Sequence, residues 1–227
     1  MTAPRFSCLI PAWNEAPRIG AVLRAVAGHP LLSEVIVIDD GSTDATAGIA
    51  RDAGATVLRL PGNTGKTGAL ARGIAAATGS HLVLIDADLL GLRAFDITQL
   101  LAPVARGQAT AALSLRGNAP GLWRLLGLDY ITGERVIPRA LVAGAALDRL
   151  PRFGFEVWLN RRIIAAGGPV AVVDWPGVSS PAKAAKRGGL WRGLAADAAM
   201  LGDIFATIPP QEALTQIATL RRRTLRA

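Results

Sequence analysis

Two aspartates separated by one residue, Asp86 and Asp88, follow the apolar run Leu82-Val83-Leu84-Ile85. At a strand end, where side chains repeat with a period of two, both point to the same side. Two hard oxygen ligands then converge. Such a pair suits Mg²⁺ or Mn²⁺, which is held by one or two carboxylates and keeps positions open for phosphate oxygens. Lys66 supplies a further positive group for a diphosphate. Polar clusters also follow the earlier apolar runs: Asn14-Glu15, then Asp39-Asp40-Gly41-Ser42-Thr43-Asp44, then Gly62-Asn63-Thr64-Gly65-Lys66. Each alone has a local explanation, because Asp and Ser cap helices and Gly-Asn makes turns. Together they share one sheet edge, and their carboxylates repel one another unless cations or hydrogen-bond donors stand among them.

The elements that position these clusters read from the apolar runs. Phe6 to Trp13, Glu34 to Asp39, Thr56 to Leu60 and His81 to Asp86 predict strands, several of them buried on both faces as in parallel sheets. Helical patterns at Pro17 to Ala27, Thr43 to Ala53 and Thr67 to Thr78 alternate with them, which predicts a doubly wound α/β sheet over the first 90 residues. In such sheets ligands bind beyond the carboxyl ends of the strands. Further on, helices are expected near Asp96 to Ala105, Arg139 to Ala146 and Gly154 to Ala166, and strands near Thr110 to Leu115 and Val170 to Asp174. Pro176 to Gly189 reads as a mobile loop before a final helical segment. Two familiar phosphate sites are excluded. A P-loop needs a glycine where Leu60 stands, and Pro11-Ala12-Trp13-Asn14-Glu15 replaces the glycine-rich turn of a Rossmann dinucleotide site.

The segments Ile10 to Glu15, Val37 to Asp44, Asn63 to Lys66 and Ile85 to Leu89 resemble, in order and spacing, the successive motifs of family 2 glycosyltransferases with the GT-A fold. The resemblance implies a single GT-A domain over 1–227: a nucleotide-sugar half at 1–90, an acceptor-side half at 91–178, and a basic loop with a C-terminal helical segment at 179–227. It implies an inverting transferase that moves a hexose from a UDP- or GDP-sugar to a hydroxyl or phosphate acceptor. Pro11, Ala12, Trp13, Asn14, Glu15 and Asp40 would hold the nucleoside, Lys66 would lie near the nucleotide, and Asp86 and Asp88 would form the Asp-x-Asp motif that binds ribose or sugar and the metal. Beyond residue 90, Thr132-Gly133-Glu134-Arg135 and Gly154-Phe155-Glu156-Val157 are similar to segments of the polyprenyl-phosphate and glycerate-type branches. There Gly133 would border the sugar and Glu156 the acceptor, a polyprenyl phosphate or a small hydroxy acid.

Glu156 is then the first choice for a general base, the competing reading being a surface ion pair with Arg152 and Arg161. One departure from the family concerns the metal. Many relatives carry a histidine ligand after the last strand, and Val178 to Lys183 contains none, while His29 and His81 read as structural. Two other functions use a similar sheet: a nucleotidyltransferase that makes an NDP-sugar, and a non-catalytic nucleotide-sugar-binding protein.

Composition narrows the setting. Of 227 residues 51% are hydrophobic and 19% charged, a globular balance. Residues 1–90 are nearly neutral, so the net charge of +8 lies in the rest of the chain. Aromatics make up only 5%, and no basic–aromatic alternation appears, which argues against nucleic acid. The longest uncharged apolar stretches are too short to span a bilayer, and Cys8 is the only cysteine. A cytoplasmic protein is expected. Lys183, Lys186, Arg187 and Arg192, followed by the apolar Leu194, Met200, Leu201, Ile204 and Phe205 and later by Arg221, Arg222, Arg223 and Arg226, further suggest contact with the inner face of an anionic membrane. The oligomeric state is not legible.

Overall fold

The computed structural model describes residues 3–145, 147, 154–181, 202 and 208–226. Its centre is an eight-stranded sheet. The strands are β1 (Phe6–Ala12), β2 (Leu32–Asp39), β3 (Thr56–Arg59), β4 (His81–Leu84), β5 (Ala111–Arg116), β6 (Arg135–Pro138), β7 (Val170–Trp175) and β8 (Thr224–Arg226), in the spatial order β3-β2-β1-β4-β6-β5-β7-β8. Among the described residues the helices are α1 (Ile19–Val26), α2 (Thr46–Asp52), α3 (Gly65–Ala76), α4 (Ala94–Ala105), α5 (Gly121–Leu126), α6 (Gly154–Ala166) and α7 (Pro210–Arg223), and a 3-10 turn spans Arg139–Leu141.

Alternate residues of each central strand feed two separate apolar layers, as the pleat requires. Leu9, Ile38, Leu82 and Leu84 pack on one face with Leu70 of α3 and Leu159 of α6. Cys8, Ile10, Val37 and Val83 pack on the other with Leu23 of α1 and Leu100 of α4. Burial on both sides explains why these runs lack the polar alternation of a half-exposed strand.

Strands β3, β2, β1 and β4 are parallel, as expected for the first 90 residues. The sheet then turns mixed, because β6 lies antiparallel to both β4 and β5. Neither β6 nor α5 was expected, and the 3-10 turn at Arg139–Leu141 replaces the helix expected at Arg139 to Ala146. Pro138 leads into that turn, and Gly144, at φ 70°, bends the chain out of helical conformation soon after it. The loop expected at Pro176 to Gly189 is described only to Pro181, where Ser179 forms an antiparallel bridge with Leu90; the remainder, with Lys183, Lys186, Arg187 and Arg192, lies outside the described residues.

Candidate active site

The parallel strands deliver their polar clusters to one cavity of about 660 Å³, lined by Pro11, Trp13, Glu15, Asp40, Lys66 and Asp88 among others. Ala12, Asn63 and Asp86 complete the match to the segments singled out in the sequence. Trp13 is 53% exposed, which offers an indole face to a flat ring. Asn14 is not in the lining. It holds a left-handed conformation at φ 54°, its Oδ1 accepts from the Thr43 amide at 2.9 Å, and its own amide donates to Ser42 Oγ at 2.9 Å. These bonds tie the loop after β1 to the loop after β2, so Asn14 shapes the cavity from behind. Glu15 pairs with Arg18 at 2.6 Å, yet burial outweighs that partner and raises its pKa.

Asp40 is nearly inaccessible, and its carboxylate accepts from the Thr64 amide at 2.8 Å, Thr64 Oγ1 at 2.7 Å and the Gly65 amide at 2.8 Å. It thereby fixes the start of α3, which carries Lys66 one residue on. Asp39 is fully buried; its Oδ1 accepts from the Ser42 amide at 3.0 Å, and its Oδ2 faces the charge of Arg59 at 3.3 Å.

Asp86 and Asp88 stand just beyond the end of β4, in the turn that follows it, rather than within the strand. Lys66 Nζ lies 2.6 Å from Asp86 and 3.8 Å from Glu156. The Lys66 side chain keeps 41% of its accessibility; the partial desolvation of its ammonium is more than reversed by the Asp86 and Glu156 carboxylates, which raise its pKa. Burial also acts against the Asp86 carboxylate, and Lys66 outweighs it, so Asp86 stays ionised well below the usual range. Asp88 is different: burial and the neighbouring Asp86 charge both push its pKa up. One carboxylate of the pair is therefore neutralised and the other is short of positive charge.

Gly133 closes this corner. A Cβ there would stand 2.7 Å from Asp86 Oδ2 and 2.8 Å from Lys66 Nζ, so any side chain would collide with the charged pair. Glu156, in the first turn of α6, is only 8% exposed. The surface ion pair weighed for it does not form with Arg161, which binds Glu212 of α7 instead, and Arg152 lies outside the described residues. Helix α6 turns Glu156 inward towards Lys66. His29 bonds Ala94 O and Thr98 Oγ1, and the His81 ring meets Phe6 at a 51° tilt, at the end of β4 away from the cavity.

A buried polar network behind Gly133 was not read from the sequence. Arg116 lies 3.5 Å from Asp129 and 3.4 Å from Glu134, and Glu134 also receives Ser114 Oγ at 2.8 Å and Thr132 Oγ1 at 2.7 Å. Burial, opposed by Arg116, pushes the Asp129 carboxyl up to about 6. Next to it Arg135 is wholly inside the protein. The signal available was the run Gly133-Glu134-Arg135, two charges directly after a glycine, which reads equally well as an exposed turn.

The family model described as Glycosyl transferase family 2 matches residues 7–153. The chain belongs to glycosyl transferase family 2. Glucosyl-3-phosphoglycerate synthase from Mycobacterium tuberculosis, crystallised with Mn²⁺ and UDP-glucose, is similar at 25% identity and TM-score 0.67, over 90% of this chain and 79% of that one. The same synthase with phosphoglyceric acid aligns over 97% of this chain and 80% of that one, with 25% identity and TM-score 0.65. A 4,4'-diaponeurosporenoate glycosyltransferase of Staphylococcus aureus (strain USA300) is 40% identical over 90 residues, 37% of this chain. The chain matches about a quarter, 24%, of that relative's length. The family 2 chain thus has the GT-A architecture, a mostly parallel sheet with helices on both faces.

Proposed function

We propose that this family 2 chain is an inverting glycosyltransferase that moves a hexose from a nucleoside-diphosphate sugar, UDP-glucose being the first choice, to an acceptor hydroxyl or phosphate. The observation that carries the reading is the convergence of Trp13, Lys66, Asp86 and Asp88 in one cavity whose far corner has no room for a side chain at Gly133. A nucleoside fits the apolar mouth at Pro11, Ala12 and Trp13, and the sugar fits the corner at Gly133. The UDP-glucose seen with the mycobacterial synthase supports the donor assignment.

The donor set suits Mg²⁺ or Mn²⁺. Among the described residues no group of three His, Cys, Asp or Glu side chains gathers as a complete metal cage. Asp86 and Asp88 nevertheless offer two hard oxygens, and Asp88 is the carboxylate that lacks compensating charge. Such an ion, when bound, neutralises the diphosphate as it leaves. Lys66 adds a second positive charge on the same side, and its stabilisation of developing charge is the larger contribution of the chain itself. Glu156, 3.8 Å from Lys66, is read as the group that accepts a proton from an acceptor hydroxyl. A phosphate acceptor would need only orientation from it. Positioning of the two substrates in this order contributes the rest.

The acceptor is read as a small phosphorylated hydroxy acid or a lipid such as a polyprenyl phosphate, supported respectively by the phosphoglyceric acid complex and the diaponeurosporenoate relative. Peripheral contact with an anionic membrane belongs to the lipid reading; its described support is the exposed Leu214, Arg221 and Arg222 of α7. No helix of the described residues is long and apolar enough to cross a membrane. A thermal-shift panel of UDP-, GDP- and dTDP-sugars with and without Mn²⁺ tests the donor, since a ligand of the native state raises its apparent stability. Release of nucleoside diphosphate supports transfer. Release of pyrophosphate would make the chain a nucleotidyltransferase, and binding without turnover a nucleotide-sugar-binding protein.

A further inference from the structure

Arg135 opens β6, opposite Leu84 of β4 and Leu113 of β5, two residues after Gly133. Its guanidinium has lost its hydration, and three of its nitrogens donate to neutral acceptors: Nε to Thr132 O at 2.6 Å, Nη2 to Tyr130 O at 3.1 Å and Nη1 to Asn160 Oδ1 at 2.7 Å. Asn160, itself fully buried, returns a bond from Nδ2 to Tyr130 O at 3.0 Å. One side chain therefore binds the backbone leading to Gly133 and, through Asn160, helix α6. Asn160 follows Glu156 by four residues, so the two lie on the same face of that helix.

A buried guanidinium is expensive, and a packed apolar side chain of similar volume would often cost less. An apolar chain could not hold acceptors from two separate segments in one rigid fork. Burial works against its charge, and the carboxylates of Glu156, Asp129 and Glu134 offset part of that effect.

We infer that Arg135, acting through Asn160, is the positioning residue of the acceptor side: it holds the Gly133 turn against Asp86 and sets the rotation of α6 that brings Glu156 to Lys66. Both side chains are fully buried and neither lines the cavity. The inference rests on the assignment of Glu156 to the acceptor, and goes beyond it by naming what orients that carboxylate.

The test introduces Asn160→Ala and Arg135→Lys separately into the wild type and into Glu156→Gln. Affinity for UDP with Mn²⁺ is measured by calorimetry, and turnover of UDP-glucose with phosphoglyceric acid as probe acceptor. UDP affinity should stay within about twofold, while kcat falls on the order of ten- to a hundredfold in the wild-type background. In the Glu156→Gln background the same substitutions should cost less than about twofold, because groups acting through one another are not additive. Equal losses in both backgrounds, no loss at all, or a collapse of UDP affinity would overturn the inference. A crystal structure of Asn160→Ala decides the positioning without any turnover: the 3.8 Å Lys66–Glu156 contact should open while Lys66 stays on Asp86. An unmoved Glu156 overturns the inference. Full activity of Glu156→Gln, or no sugar transfer by the wild type, would instead defeat the functional assignment, and the crystal structure would still report whether Asn160 sets the helix.

Discussion

Glu156 of α6 lies 3.8 Å from Lys66 of α3, although 90 positions separate them and the two helices share no loop. Lys66 stands at the same time 2.6 Å from Asp86, so one ammonium joins a carboxylate of the proposed donor side to the carboxylate of the proposed acceptor side. Changing any of these groups should therefore be felt on both sides of the cavity.

Asp88→Ala removes the carboxylate that lacks a counter-ion. Donor affinity in the presence of Mn²⁺ should fall about tenfold or more, to the level seen without metal, because one carboxylate cannot replace two at a bridging ion. Titration of UDP-glucose by calorimetry, with and without Mn²⁺, checks it. Retention of the metal effect in the variant would remove Asp88 from the ligand set.

Gly133→Ala places a methyl group 2.7 Å from the Asp86 carboxylate. Either Asp86 and Lys66 separate or the turn withdraws. UDP-glucose affinity should weaken on the order of tenfold, with the Tm lowered as well, since overpacking strains its surroundings. A variant that binds UDP-glucose as well as the wild type would show that the corner does not receive the sugar.

Asp129 sets a pH dependence of stability. Its carboxyl, pushed up to about 6 by burial, binds its proton more tightly in the folded chain than in the unfolded one. The stabilisation is fully present below the ordinary carboxylate pKa, near 4, and is lost as pH rises through about 6. Asp129→Asn cannot ionise, so its Tm relative to the wild type should climb between pH 4.5 and 7. Parallel Tm profiles for the two proteins across that range would contradict this account.

Association with a membrane should show as co-sedimentation with vesicles containing anionic phospholipid, fading as salt rises, and absent with neutral vesicles. Replacing Arg221 and Arg222, both exposed on α7, with glutamate should reduce it. Equal and negligible sedimentation with both vesicle types at low salt would leave a small soluble acceptor.

The donor side was legible because its apolar runs are buried on both faces, which leaves a signal without competing polar residues. The polar groups at the ends of those runs then fell on one edge by the logic of parallel strands. The acceptor side was harder for a definite reason. Strand β6 is only Arg135-Val136-Ile137-Pro138, and its first residue carries a charge that suggests solvent when it is in fact inside. Arg116, Asp129 and Glu134 meet only through the pairing of β5 with β6, which no local pattern announces. Glu156 was singled out, but its orientation depends on Asn160 and Arg135, whose bonds are tertiary.

Because β4 pairs with β1 on one side and with β6 on the other, the first 90 residues by themselves would leave a bare hydrogen-bonding row along β4. A chain emerging from the ribosome would expose that row until Arg135 to Pro138 arrived to cover it. The region that carries the proposed nucleotide motifs is thus no separable module: expressed alone it should stick to itself, and grafting it onto another second half would require a strand that can take the place of β6.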